Sequence, residues 1–153
     1  MSEHQDVDVQ IRRPETGDME ALAELMRQLG YPTRASEMQM RMETILANKN
    51  YATFVAVSNG RVCGMIGTFN CQSYEHNSPG ARILALVVAE KMRGRGVGEA
   101  LITAAENDLA RRNVRRVAVN ARFERTRAHE FYEKLGYTKN GFRLVKELPM
   151  PAD

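Results

Sequence analysis

The segment with the most chemical potential is Val87-Val88-Ala89-Glu90-Lys91-Met92-Arg93-Gly94-Arg95-Gly96-Val97-Gly98-Glu99, which sets three glycines and two arginines between an apolar run and a helical pattern. Unpartnered backbone N–H groups at a helix start, with the positive end of the helix dipole, attract phosphate. Glycines let the main chain approach such a ligand closely, and arginines add charge-assisted hydrogen bonds. Spacing excludes two common phosphate binders. A dinucleotide fingerprint needs G-x-G-x-x-G, but counting from Gly94 and Gly96 the third position falls on Glu99. A nucleoside-triphosphate P-loop ends in Gly-Lys-Ser/Thr, which this chain lacks. What remains is Arg93-x-x-Gly96-x-Gly98 as an anion cradle, or a glycine-rich turn with incidental arginines.

Such a turn works only if the flanking elements hold it. Ala81 to Ala89 is a continuous apolar run, the signature of a strand buried on both faces. Gly96 to Arg112 is helical in pattern (Leu101, Ala104, Ala105, Leu109), and Val114 to Ala121 returns to strand, which predicts a parallel strand-helix-strand crossover. Upstream, a short strand around Val9 and Ile11 is stopped by Pro14 and Gly17, and Asp18 is placed to cap a helix carrying Ala21, Leu22, Leu25, Met26 and Leu29 up to Gly30. A second helix is expected from Ser36, with Gln39 completing a capping box and an apolar stripe of Met38, Met42, Ile45 and Leu46 that reads as adaptable core. Tyr51 to Ser58 and Arg61 to Phe69 flank Asn59-Gly60, the pair that best tolerates a type I′ turn, and so predict a hairpin. Ala128, Phe131, Tyr132 and Leu135 give a last helix ended by Gly136, and Tyr137 to Leu148 can hold a closing pair of strands around Asn140-Gly141.

With 153 residues, 43% hydrophobic and 27% charged, the chain has the make-up of one globular domain able to bury a core without disulfide or metal staples. Residues 1–8 read as a loose tail before a single domain over 9–150. A net charge of +3 suits an enzyme or a weak anion binder and is far from histone-like. No run approaches the roughly 18 apolar residues of a membrane span, and no leader pattern opens the chain, so a reducing cytoplasm is the expected compartment. Cys63 and Cys71 lack an activating context and read as structural, while His4, His76 and His129 do not fall at a metal-ligand spacing; no metal is expected.

The Arg93-x-x-Gly96-x-Gly98 loop after an apolar strand resembles the acetyl-CoA pyrophosphate loop of the GNAT superfamily of N-acetyltransferases. Arg127-Ala128-His129-Glu130-Phe131-Tyr132-Glu133-Lys134-Leu135-Gly136-Tyr137 is similar to the same family's late A-x-x-F-Y-x-x-x-G-Y/F motif, and the element order agrees from Val9 to Leu148. Within the family, Arg125 to Tyr132 and Phe142 to Lys146 look most like bacterial small-amine acetyltransferases of the aminoalkylphosphonate and aminoglycoside type. The resemblance implies an α/β (α+β) fold: a mixed, mostly antiparallel sheet of six to seven strands, about four flanking helices and a central parallel strand-helix-strand unit. It also implies acetyl-CoA as cosubstrate, a small-molecule amine as acceptor, and a possible homodimer.

Carried over residue by residue, the resemblance gives Leu86, Val87 and Val88 to the pantetheine arm and Arg93, Gly94, Arg95, Gly96, Val97, Gly98 and Glu99 to the pyrophosphate. Asn120 either contacts the CoA arm or caps its strand. Tyr132 matches the tyrosine near the CoA sulfur, and a phenol of ordinary pKa about 10 can pass its proton to a leaving thiolate whose parent pKa is about 8.5; packing its ring in the core is the other reading. An alkylamine of pKa about 10.4 is mostly cationic at pH 7, so a base or a water chain is required. Many family members carry a glutamate on the strand before the loop where this chain has Ala85, which leaves Glu75, His76 or Glu43 without a decisive assignment.

Three rival functions differ in what they need. A protein N-terminal or lysine acetyltransferase needs an open peptide groove, and a non-catalytic acyl-CoA-binding module needs only the donor site. A nucleic-acid binder is suggested by Arg111, Arg112, Arg115, Arg116, Arg122, Arg125 and Arg127, but Glu106, Asp108 and Glu124 interleave them and no aromatic stacking stretch accompanies them. Neither nucleic acid nor a membrane is therefore an expected partner.

Overall fold

The computed structural model describes residues 7–120 and 126–151, so the expectations resting on Arg122, Glu124 and Arg125 lie outside the described residues. Turn residues fix the strand pairing. Asn59 (φ 51°) and Gly60 (φ 75°) both adopt the left-handed conformation of a type I′ turn, and Tyr51–Ser58 (β2) and Arg61–Cys71 (β3) close on it as an antiparallel hairpin with Ser58 opposite Arg61. Gln10–Arg12 (β1) adds antiparallel to the outer edge of β2, and Gly80–Val88 (β4) adds antiparallel to β3. Arg116–Val119 (β5) then lies parallel to β4, giving the sheet order β1-β2-β3-β4-β5.

Helices cover both faces. Met19–Leu29 (α1) ends where Gly30 turns left-handed at φ 109° and its N–H meets the Arg27 carbonyl at 3.0 Å. Ala35–Leu46 (α2) starts one residue before the expected Ser36. Its cap is formed by Glu37, whose carboxylate accepts the Arg34 N–H at 2.9 Å, so the predicted Ser36–Gln39 box is corrected to an Arg34–Glu37 one. Both helices pack on one face, where Leu22, Leu25, Met38 and Met42 meet Val55, Met65 and Val87. Val97–Arg111 (α3) covers the other face: adjacent strand residues point oppositely, and Gly64, next to Met65, faces Val97 and Leu101.

The chain divides into two compact units, the first running to Val119 and the second from Asn120. In the second, Thr126–Lys134 (α4) ends at a turn in which the Leu135 N–H meets the Tyr132 carbonyl at 3.0 Å and Gly136 sits at φ 95°. Two expectations need correcting here. The described residues form five strands rather than six or seven, because no strand occurs over residues 137–151, where Phe142, Leu144 and Leu148 are exposed. Alternating apolar residues do not make a hairpin alone, since an isolated pair of strands is marginal in water. Nor is β4 buried on both faces: Ile83 and Val87 are buried, but Leu84 is 52% exposed, pushed out where the pairing jumps from Gly67–Ala85 to Thr68–Ile83.

Two carboxylates tie the first unit together. Asp108 on α3 is buried between Arg13 at 3.2 Å and Arg112 at 3.1 Å, and Arg112 also donates to the Lys49 carbonyl at 2.7 Å, so part of the basic cluster serves the fold. Asp18 sits at the N-cap of α1, yet its carboxylate takes the Arg12 guanidinium at 2.7 and 3.0 Å and the Glu15 N–H at 2.7 Å instead of the helix N–H groups. The hydrogen bond from Arg12 holds the Asp18 carboxyl below the ordinary carboxylate range. Its folded value thus lies below the unfolded value of about 3.9, so its stabilisation is complete above that pH and is lost as pH falls through the folded value. Asp18→Asn is expected to lower urea stability at pH 7 by about 2 kcal/mol and to flatten the loss on acidification. An unchanged acid profile in parallel urea titrations at pH 7 and pH 3 would show that Asp18 carries none of it.

Candidate functional site

The glycine turn is built from the end of β4. The Ala89 N–H meets the Cys63 carbonyl at 2.8 Å, extending the β3–β4 pairing by one bond, and a single 3-10 turn over Glu90–Met92 leads away from the sheet. Glu90 is pinned by its N–H to Gln28 Oε1 of α1 at 2.9 Å. Arg93 folds back and donates from Nε to the Val88 carbonyl at 3.1 Å, which fixes an exposed guanidinium at the mouth of the turn. Gly96, at φ 84°, is the N-cap of α3, a conformation unfavourable for side-chain-bearing residues. The first helical bond runs from the Ala100 N–H to the Gly96 carbonyl at 3.0 Å, so the N–H groups of Val97, Gly98 and Glu99 have no intrahelical acceptor.

Gly64 sets how close this helix start comes to the sheet. A Cβ there would lie 3.0 Å from Leu101 Cδ1, 3.2 Å from Val97 Cγ1 and 3.3 Å from the Val87 carbonyl. Val97 is therefore core through its side chain and offers the site only its main chain. Arg95 and Glu99 are exposed, and the Arg95 carbonyl accepts the Val7 N–H at 3.0 Å. From Gly96 a broad groove of about 470 Å³ continues along α3 past Glu99, Ala100, Thr103 and Asn107.

The strand leading into the turn has an open edge. β5 pairs only with Gly80 to Ile83, so Leu84 to Val88, including Leu86, Val87 and Val88, have no strand partner on that side among the described residues. Where the open edge begins, Leu84 and Ala85 also line a second cavity, of about 140 Å³. Its remaining walls come from Met26, Met38, Met42 and Ile45 of the helices and from Tyr51, Thr53, Met65 and Gly67 of the sheet, with Arg41 beside them.

In the second unit, α4 presents Tyr132 half-buried, its ring edge-on to Phe131 at 5.3 Å and to Tyr137 at 5.6 Å. Asn120 is exposed directly after β5.

Residues 19–137 match the sequence profile of the Acetyltransferase (GNAT) family. The chain belongs to this family. The acetyltransferase is 31% identical over 103 residues to an aminoalkylphosphonate N-acetyltransferase of Salmonella typhimurium, the match covering 67% of each chain. A GNAT family acetyltransferase of Staphylococcus aureus superposes with a TM-score of 0.80 at 25% identity, over 93% of this chain and all of that one. An aminoglycoside N-acetyltransferase crystallised with CoA superposes with a TM-score of 0.83 at 21% identity over 94% and 97% of the two chains, which is a likeness of fold.

The residues considered for the base are dispersed in the acetyltransferase. Glu43 is exposed and accepts from Gln39 Nε2 at 3.3 Å. Glu75 takes the Ser73 hydroxyl at 3.1 Å within an exposed loop, where the Ser73 oxygen in turn accepts the His76 N–H at 3.1 Å. Cys63 is buried, and burial pushes its thiol up, which suits a structural role rather than an acyl carrier. Residue patterns gave no notice of the second cavity as a site. Arg41, three residues after Met38 and four before Ile45 on α2, is exposed and reaches Thr33 Oγ1 with Nη1 at 3.2 Å.

Proposed function

We propose that the acetyltransferase transfers the acetyl group of acetyl-CoA to the primary amine of a small molecule by direct attack on the thioester. The observation that carries this is the open edge of β4 running into a turn with outward N–H groups: an edge that can pair with an amide-bearing arm, followed by a cradle for a pyrophosphate. In this reading Leu86 to Val88 bond the pantetheine amides through their main chain, and Gly94 to Glu99 with Arg93 and Arg95 hold the pyrophosphate. Asn120 takes a polar group of the arm. The family membership and the name of the Salmonella relative support an amine acceptor.

Charge and proton balance fix what the side chains must do. The amine nitrogen forms a bond to the acetyl carbon and the C–S bond breaks; the departing sulfur takes a proton from the Tyr132 hydroxyl, which the proton lost by the nitrogen after attack restores, and the ammonium must first give one proton up to solvent. Removing that proton before attack costs about 4 to 5 kcal/mol at pH 7 for a free alkylamine. With Ala85 in the strand, a water chain along the open edge supplies this step rather than a strand carboxylate. Acetyl-CoA chemistry and the two free thiols both fit a cytoplasmic enzyme formed by a single domain over 9–150.

The test pairs calorimetry of acetyl-CoA binding with release of free CoA thiol across primary amines. Micromolar binding and amine-dependent thiol release are expected; failure to bind any acyl-CoA would overturn the reading, and binding without turnover on any amine would leave only an acyl-CoA-binding module.

A further inference from the structure

We propose that the main-chain N–H of Val7 is a positioning group for the donor turn: by holding the Arg95 carbonyl it keeps the Gly96 N–H, and not a carbonyl oxygen, turned toward the pyrophosphate of acetyl-CoA. The inference rests on the acetyl-CoA reading above and adds to it a group from a segment that reads in the sequence as a loose tail.

The weak point of the turn is the peptide that joins Arg95 to Gly96. Gly94 at φ 76° and Gly96 at φ 84° stand on either side of Arg95. Glycine takes positive and negative φ about equally well. Rotating this peptide by half a turn carries φ of Gly96 to the negative side, so the residue that lets the turn form also makes its inversion cheap. A trans peptide is planar, and its C=O and N–H point in opposite directions. Inversion therefore puts an oxygen where the Gly96 N–H had been, and that oxygen repels the phosphate that the N–H attracts.

The rest of the turn is held by its own neighbours. The Glu90 N–H meets Gln28 Oε1 at 2.9 Å, Arg93 Nε meets the Val88 carbonyl at 3.1 Å, and the Ala100 N–H meets the Gly96 carbonyl at 3.0 Å. The Arg95 carbonyl is held from far along the chain, by the Val7 N–H at 3.0 Å. Val7 has a firm base. Just after it β1 pairs with β2, Arg12 forks onto Asp18 at 2.7 and 3.0 Å, and Arg13 bonds Asp108 at 3.2 Å with its guanidinium 4.2 Å above the Phe54 ring. Asp108 lies in the last turn of α3 and Arg95 just ahead of its first, so the stretch from Val7 to Arg13 is fastened to both ends of the helix whose start forms the cradle.

The experiment measures acetyl-CoA binding by calorimetry in the wild type and in Val7→Pro, which removes the N–H at a position outside every strand. Val7→Pro is expected to raise the acetyl-CoA Kd about tenfold, the size of one hydrogen bond to a charged group, with the donor KM rising alike and kcat at saturating donor within about twofold. Val7→Ala keeps the N–H and should rescue the affinity. Hydrogen exchange reads the same coupling without a mutation, and decides alone if thermal unfolding shows that Val7→Pro does not fold. Coupling is reciprocal, so saturating acetyl-CoA should slow exchange of the wild-type Val7 amide by about the same tenfold, while the Glu75 amide, in the exposed loop after β3, keeps its rate. An unchanged Val7 exchange rate, equal losses in Val7→Pro and Val7→Ala, or a fall in kcat with Kd unchanged overturns the inference. A wild type that binds no acyl-CoA overturns the donor reading itself. A wild type that binds, beside a folded Val7→Pro that binds as tightly, leaves that reading standing and removes Val7 from it.

Discussion

Gly96→Glu should abolish acetyl-CoA binding, a loss of about a thousandfold or more in affinity. Two effects add. The N-cap residue of α3 sits at φ 84°, where a side chain costs about 1 to 2 kcal/mol of backbone strain. The larger effect is charge: a carboxylate about 4 Å from a phosphate at an effective dielectric of 20 is repelled by about 4 kcal/mol, and its own oxygens compete for the N–H groups of Val97 and Gly98. Gly96→Ala separates the two, since it carries the strain without the charge and should lose only about tenfold. Calorimetry with acetyl-CoA on both variants, alongside thermal unfolding to show that α3 still forms, gives the answer. Retained affinity in a folded Gly96→Glu protein would remove the turn from the donor site.

The contrast between Gly96 and Arg41 explains how far the sequence carries. Features set by a few consecutive residues were legible: Asn59-Gly60 needed positive φ at both positions and closes the hairpin, Gly30 stops α1, and the glycines after Val88 make a helix start that exposes N–H groups. Features that depend on partners were not. Apolar alternation after Tyr137 promised two strands that do not form in the described residues, and the apolar run of β4 promised two covered faces, whereas Leu84 bulges outward. The cavity lies furthest from the sequence, because its wall draws residues from α1, α2, β2, β3 and β4, and no spacing connects Met26, Arg41, Gly67 and Ala85 until α1 and α2 pack on the sheet. Local polarity does not by itself place a base: Glu75 and Glu43 are carboxylates, and each sits on an exposed surface bonded to its own neighbours.

Tyr132→Phe should lower kcat by about a hundredfold while leaving acetyl-CoA affinity within about twofold, the size expected when a positioned proton donor is removed and binding is not. The ring packs edge-on against Phe131 and Tyr137, contacts that phenylalanine reproduces, and thermal unfolding of the variant beside the assay separates loss of the hydroxyl's chemistry from loss of α4 stability. A merely packed tyrosine would leave turnover intact. The pH profile tells the two apart more sharply than a single rate does: a hydroxyl that protonates the leaving sulfur gives the wild type a fall in kcat on the alkaline side, and that limb should be missing in the variant, whose remaining proton must come from water at every pH. Turnover unchanged across the whole range would remove Tyr132 from the chemistry and leave water as the sole acid, which a thiolate of parent pKa about 8.5 tolerates far better than an alkoxide would.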